Sequence, residues 1–192
     1  MLKKIAATVL VVGGLAGIGA FGAFSIFTST ATNPSNTFST GSVAISTSPA
    51  SAFITFNDMM PGDVTTQPLV VSNDGSLQLR YAISSAATNT DSKGLKDQLV
   101  LTTKTIDVTT PGTPCDDFDG TQLYTGDLDG TTGALVGSNA QGADTGDRTL
   151  DSSTTETLCF RVELPSSTGN AYNGASTTAT FTFDAEQTVN NP

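Results

Sequence analysis

Apolar and polar residues alternate along several short stretches of the 192-residue chain, which is the pattern of strands with one buried and one solvated face. In residues 176–183 (STTATFTF), alanine and phenylalanine occupy one face and threonine occupies the other. Residues 156–164 alternate in the same way, with Leu158, Phe160 and Val162 on the apolar face. The same pattern predicts further strands at residues 42–46, 52–56, 69–72, 77–84 and 99–108.

Turn sequences separate these stretches and indicate the fold class. Residues 61–63 (PGD), 73–75 (NDG) and 170–174 (NAYNG) have the composition of tight turns. The second turn predicts a hairpin between strands at residues 69–71 and 77–83. Many short strands joined by such turns predict an all-β chain, folded as an antiparallel β-sandwich of jelly-roll type.

Two stretches depart from the strand pattern. Residues 91–98 (DSKGLKDQ) indicate a short helix, although Gly94 disfavours it. Residues 109–153 are rich in glycine, aspartate and threonine, so they predict an insertion of loops with one strand near residues 122–124.

The N-terminus has the pattern of a secretory signal peptide at residues 1–22. Two lysines precede an apolar run at residues 5–18, and small residues follow. This order predicts cleavage after Gly22 or Ala23. No cysteine stands at the cut, so a lipid anchor is not expected.

Two other interpretations of the N-terminus stay open. Residues 5–27 carry no charge and are long enough to remain as an uncleaved membrane anchor. Residues 24–26 (FSI) resemble the start of a pilin, so the preceding residues could be a pilin-type leader, although the acidic residue expected shortly after this start is missing.

An uncharged arm at residues 23–41 follows the predicted cut and precedes the β-sandwich domain, which we place at residues 42–192. The arm contains β-branched and aromatic residues, and Pro34 interrupts it. It could be the first strand of its own domain, or it could complete the sheet of a neighbouring molecule. The residues that would carry polymerisation lie on one face: Phe24, Ile26, Thr28 and Thr30.

The net charge of −10 bears on the choice of partner. Loss of the two lysines of the signal peptide leaves 6 basic against 18 acidic residues. A surface this acidic repels nucleic-acid phosphates and anionic lipid headgroups. We therefore expect no nucleic-acid partner and no stable membrane association after cleavage.

The absence of histidine excludes several catalytic classes. A Ser-His-Asp triad, a Cys-His dyad and an imidazole zinc ligand all require that residue. We therefore expect a chain that is not an enzyme and holds no cofactor.

Cys115 and Cys159 are the two cysteines of a chain that carries an export signal. Export favours a disulfide over two free thiols. Cys159 lies on the face opposite Leu158 and Phe160, so the bridge should hold the Asp-rich loop against the outside of a sheet.

Aspartates in Gly-containing loops are the candidate metal ligands. Asp117, Asp119, Asp127 and Asp129 could offer oxygen ligands to calcium. The spacing fails the EF-hand template, because its first and last ligand positions fall on residues of the wrong type. The other interpretation is that these aspartates form solvated turns.

Several motifs occur in a characteristic order along the chain. These are the Lys-Lys start, Gly22-Ala23-Phe24, residues 37–43 (TFSTGSV), 60–63 (MPGD), 70–81 (VVSNDGSLQLRY), 158–162 (LCFRV) and 178–187 (TATFTFDAEQ). Together they resemble the TasA/camelysin (CalY) family of secreted proteins, whose signal peptides are cut by a SipW-type signal peptidase. The resemblance leaves most of residues 109–153 uncovered.

The resemblance implies a jelly-roll domain that assembles into extracellular fibres of the biofilm matrix by donation of an N-terminal strand. The expected partners are other copies of the chain, joined head to tail, and a signal peptidase during export. Two other functions stay open: a monomeric secreted binding or adhesion module assisted by calcium, and a secreted metallopeptidase. Camelysin-type proteins have been described as metallopeptidases, but the missing histidine argues against carrying that activity over.

Overall fold

The computed structural model describes residues 29–106, 113–130 and 133–191. The chain divides into two compact units, Met1–Ser39 and Thr40–Pro192. The predicted signal peptide, together with Phe24, Ile26 and Thr28 of the arm, lies outside the described residues. Within the described ranges, no helix is long and apolar enough to cross a membrane.

The second unit consists almost entirely of antiparallel strands. They are β1 (Ile45–Ser48), β2 (Val64–Asn73), β3 (Leu79–Ala87), β4 (Val100–Thr105), β5 (Gln122–Asp127), β6 (Ala134–Val136), β7 (Arg148–Leu150), β8 (Thr155–Glu163) and β9 (Ala179–Gln187). Sheet A has the order β1-β2-β8-β4-β5. In sheet B, β3 lies in the middle and pairs with β9, β6 and β7.

The core lies between the two sheets and draws on both. Leu158 and Phe160 of β8 are fully buried, as are Leu79 and Ile83 of β3. The predicted apolar faces of residues 156–164 and 176–183 both point into this core, which confirms the alternation pattern. The all-β antiparallel sandwich is therefore confirmed, and the jelly-roll subtype stays a prediction.

The predicted hairpin at residues 69–83 is wrong. β2 pairs with β1 and β8, whereas β3 pairs with strands of the other sheet, so residues 73–76 form a corner between sheets. Asn73 shapes this corner: its buried amide nitrogen donates to the carbonyls of Leu77, Leu150 and Asp151 at 2.8–3.1 Å. Its oxygen accepts the Gly75 N–H, and a Cβ at Gly75 would lie 2.5 Å from the carbonyl oxygen of Ser42.

Other sequence predictions hold only in part. The helix predicted at residues 91–98 shrinks to α1 (Leu95–Gln98), because Gly94 before it takes a left-handed backbone with φ of 71°. The strand predicted at residues 52–56 does not form. Within residues 109–153 the described part contains β5, β6 and β7, although one strand was predicted. β6 and β7 have three residues each and form because β3 pairs with them.

Charged groups join the two sheets through Tyr81. The phenol of Tyr81, on β3, donates to Glu156 Oε2 on β8 at 2.8 Å. Arg148, on β7, forms an ion pair with the same carboxylate. Burial and the neighbouring carboxylate raise the pKa of Tyr81 far above its usual value. The phenol therefore stays protonated and remains the donor in this contact.

The two sides of the sandwich differ. On one side β5 of sheet A contacts β6 of sheet B. On the other side sheet B ends at β9, which pairs with β3 and with no other strand in the described part of the chain. This unpaired edge positions the candidate site.

Replacing Asn73 with alanine should lower the free energy of unfolding by about 2–3 kcal/mol, since the change leaves buried carbonyls and one N–H unpaired. Urea unfolding followed by circular dichroism measures this loss. Asn139→Ala is the matched control, because Asn139 is exposed, and its effect should stay below about 0.5 kcal/mol. Equal stabilities for the two variants would contradict the role of Asn73.

Candidate functional site

A cleft of about 1160 Å³ opens between the sheets beside the edge of β9 that faces away from β3. Leu69 of β2 and Val162 of β8 line it from sheet A, and Phe181 and Phe183 of β9 line it from sheet B. Leu95, Leu99 and Leu128 add further apolar surface. The cleft is therefore a continuation of the core that reaches the surface.

Residues 50–59 cover this cleft, and we call them the covering segment. The segment lines the cleft along its whole length and contributes Phe53, Ile54 and Met59 to the core as partly buried side chains. The ring of Phe53 lies 5.0 Å from that of Phe160 and 5.3 Å from that of Phe181, measured between centroids. Phe53 thus packs between the two sheets at the open side.

The covering segment has no backbone pairing. None of residues 50–59 forms a hydrogen bond with any residue that the structure describes. The first anchor follows directly, where the Met60 N–H donates to Asp63 Oδ2 at 2.8 Å and the Gly62 N–H donates to the Leu164 carbonyl at 2.7 Å. Side-chain contacts therefore hold the segment in place.

The backbone of the covering segment explains why no strand forms there. Ala52 and Asp58 adopt left-handed φ values of 43° and 56°, which are uncommon for residues with a side chain. The alternation in residues 52–56 satisfies the strand pattern, but left-handed Ala52 interrupts the extended backbone, and none of the described strands pairs with these residues. The predicted strand is therefore replaced by an irregular stretch.

β9 presents an incompletely covered surface beside the cleft. Its inward residues Ala179, Phe181, Phe183 and Ala185 pack against the core but are only partly buried. An unpaired strand edge also exposes backbone N–H and C=O groups that another strand can pair with. The site therefore offers both apolar contact and hydrogen-bonding groups.

The cleft is nearly free of charge. Among its lining residues in the described ranges, Asp58 alone is charged, although the chain carries 18 acidic residues. An uncharged segment can enter such a cleft without burying an ion, which costs much free energy. The arm at residues 23–41 has no charged residue either.

The described part of the arm forms no strand. Residues 29–41 are exposed, including Thr30, and Phe38 is 94% exposed. At the start of the domain, the Ser42 N–H donates to the Ser76 hydroxyl at 2.9 Å. Among the residues that the structure describes, β1 is the first strand, so residues 29–41 do not serve as the first strand of their own sheet.

The disulfide between Cys115 and Cys159 is confirmed, with the two Cα atoms 5.6 Å apart. It lies on the outer face of sheet A, as predicted, beside a small buried cluster that includes Phe118. The guanidinium carbon of Arg161 lies 3.7 Å from the ring centroid of Phe118, and the Lys104 ammonium donates to the Phe118 carbonyl. The bridge therefore holds the Asp-rich loop against the sheet.

The calcium candidates are not brought together. Asp117, Asp119 and Asp127 are exposed, whereas Asp129 forms an ion pair with Lys96 at 3.1 Å. Over the described ranges, no group of three or more histidine, cysteine, aspartate or glutamate residues could hold a metal ion. Calcium binding stays an untested prediction.

The sequence did not point to the covering segment or to Phe53 as functional residues. One signal was available: residues 52–56 (AFITF) are uncharged and rich in aromatic and β-branched residues, as the arm is. Their position beside β9 depends on long-range packing, which alternation does not specify.

Comparison of the chain with protein-family models gives a match to one family. The family model described as camelysin metallo-endopeptidase (Peptidase_M73) matches residues 1–191. No curated protein matches the chain. Among solved structures, the ASH/PapD-like domain of human CEP192 (PapD-like domain 7) aligns with 87% of this chain and 99% of its own, at 15% identity and a TM-score of 0.30, which is too low a similarity to support an argument.

The residues that the structure describes do not form the metal site that the description of this family as metallo-endopeptidases implies. Peptidase zinc sites take three protein ligands, commonly histidine and glutamate. The chain has no histidine, and the described residues bring no alternative set of ligands together. We therefore derive no peptidase step.

Replacing Cys115 and Cys159 together with serine should lower the free energy of unfolding by about 4 kcal/mol, because a 44-residue separation is no longer closed in the unfolded chain. Urea unfolding with and without dithiothreitol measures the change. The reductant should destabilise the native protein and leave the double variant unaffected. A native protein that does not respond to reduction would contradict a stabilising disulfide.

Proposed function

The chain belongs to the camelysin metallo-endopeptidase family, and we propose that it is a secreted structural subunit that polymerises into extracellular fibres of the biofilm matrix. In this proposal the N-terminal arm of one subunit adds as a strand to the next subunit. The family assignment supports a secreted, camelysin-like protein. The polymerisation mechanism is the part that we argue from the site.

The single observation that carries the proposal is the unpaired edge of β9 beside an apolar, nearly uncharged cleft. β9 has nine residues, and the arm offers nine residues, 24–32 (FSIFTSTAT), before the first asparagine. A strand of that length can pair with β9 from end to end. Added backbone hydrogen bonds supply affinity in this kind of recognition, and alternate side chains supply specificity.

The side chains of the arm suit the cleft. In an extended strand Phe24, Ile26, Thr28 and Thr30 point to one face. Phe24 and Ile26 would lie against the apolar surface that Phe181 and Phe183 leave partly exposed. No charge needs to be buried, since neither the arm nor most of the cleft carries one.

Donation of this kind produces filaments. The arm and the cleft are different surfaces of one chain, so each subunit gives one and receives one. A head-to-tail contact that does not close on itself continues as an open filament. Residues 33–41 (NPSNTFSTG) connect the donated strand to the domain and span up to about 30 Å when extended.

A monomeric adhesion module is the second candidate function. The exposed aspartates around the disulfide, Asp116, Asp117 and Asp119, support it as a polar surface on one face of the molecule. Electron microscopy of the mature protein separates the two candidates, because only the first produces filaments.

Deleting residues 24–32 should abolish fibres and leave folded monomers, since the second compact unit, Thr40–Pro192, stays intact. Negative-stain electron microscopy and size-exclusion chromatography measure the two effects. Fibres that persist after the deletion would contradict strand donation by this arm.

A point substitution gives a sharper form of the same test. Ile26→Asp should abolish fibres, because a carboxylate would enter the apolar cleft. Ser25→Asp is the matched control: it adds the same charge on the opposite face of the strand and should retain fibres. Equal loss in both variants would indicate that charge itself, rather than the cleft, controls assembly.

A further inference from the structure

We propose that residues 52–56 of the covering segment are an internal substitute for the donated arm. They line and cover the cleft of the free subunit, and residues 24–32 of a second copy displace them when the fibre grows. This inference rests on the proposed function, because it names how the same cleft is kept closed before a partner arrives.

The two segments have matching composition. Residues 52–56 read AFITF and residues 24–28 read FSIFT. Each has two phenylalanines, one isoleucine, one threonine and one small residue, and neither is charged. A cleft that accommodates one of these sets of side chains can accommodate the other, because the apolar volumes are similar.

The covering segment contacts the surface that a donated strand would need. Phe53 packs against Phe181 of β9 and against Phe160 of sheet A, at 5.3 and 5.0 Å between ring centroids. Ile54 is partly buried against the same core. An arm inserted beside β9 would compete directly with Phe53 for this space.

The covering segment is also attached in a way that permits release. Residues 50–59 make no hydrogen bond to the rest of the described chain, and Ala52 and Asp58 have left-handed backbones. The donated strand could form the apolar contacts and also pair its backbone with β9. Before displacement the covering segment holds the cleft through side-chain contacts alone. After displacement the donated strand makes side-chain contacts and also pairs its backbone with β9.

Such a segment would control the rate of assembly. An open strand edge is prone to indiscriminate pairing, and Phe53 covers the apolar surface next to that edge. When the competent state is only a fraction of the population, the observed association rate falls in proportion to that fraction. Weakening the contacts of the covering segment should raise the fraction of subunits with an open cleft and therefore the observed association rate.

The test uses the mature chain lacking residues 24–32 as the receptor and a fluorescent peptide FSIFTSTAT as the probe. Stopped-flow anisotropy measures association with this receptor and with its Phe53→Ala variant. Phe53→Ala should accelerate association about tenfold or more, as expected if the open state rises in proportion. Phe38→Ala is the matched control, since Phe38 is 94% exposed and lies outside the covering segment, and it should leave the rate within about twofold.

A second measurement does not depend on a variant that folds. Chymotrypsin cleaves after phenylalanine, and displacement should expose Phe53 in the otherwise unchanged receptor. The peptide also contains phenylalanine, so it is kept in large excess and the protease is added as a short pulse. Addition of the peptide should therefore accelerate cleavage after Phe53, and a scrambled peptide should not. Cleavage sites are assigned by mass spectrometry.

The outcomes separate this inference from the proposed function. Peptide binding with an unchanged rate in Phe53→Ala and no new cleavage after Phe53 would overturn the internal substitute, while strand donation would stand. Absence of peptide binding to both receptors would overturn strand donation itself. Faster association in Phe53→Ala, or peptide-dependent cleavage after Phe53, supports the inference.

Discussion

The inner face of β9 lies where sheet B ends, and its phenylalanines need an apolar cover that pairing with β3 does not supply. In the described part of the chain, sheet A has five strands, whereas sheet B has β9 on one side of β3 and two short strands on the other. On the β6 side the sheets contact each other. On the β9 side, the covering segment supplies the apolar contacts through Phe53 and Ile54. The unequal widths of the sheets thus create both the cleft and the need to fill it.

Two kinds of contact meet at this cleft, and they differ in what they satisfy. Apolar side chains stabilise through removal of surface from water, which the covering segment achieves. Backbone groups at a strand edge require a partner strand or water. A segment that supplies both apolar contacts and backbone hydrogen bonds binds the cleft more favourably than one that supplies apolar contacts alone. The uncharged arm, with strand-forming residues at its start, has the composition to do so.

In the proposed exchange, the rest of the sandwich stays fixed while the arm replaces the covering segment. Asn73 holds the corner between β2 and β3 through four hydrogen bonds. Tyr81 and Arg148 connect sheet B to Glu156 of sheet A. The disulfide fixes the Asp-rich loop on the far face of sheet A. These anchors are all separate from residues 50–59, so release of that segment leaves them intact.

Alternation in the sequence predicted the buried faces of β8 and β9, because side-chain direction in a strand follows from spacing alone. It could not predict the partner of each strand. Residues 69–83 therefore suggested a hairpin, although Asn73 turns the chain into the second sheet. Residues 52–56 have the alternating pattern but pair with none of the described strands. β6 and β7 are too short to show an alternating pattern. The disulfide was predictable from the expected export of the chain, whereas the packing of Phe53 depends on contacts between residues far apart in sequence.

Helical reconstruction of fibres of the mature protein by cryo-electron microscopy tests the central claim most directly. The account predicts an extended strand from residues 24–32 of one subunit, paired with β9 of the next, with residues 52–56 moved out of the cleft. Fibres in which β9 stays unpaired and Phe53 keeps its contacts with Phe160 and Phe181 would contradict it.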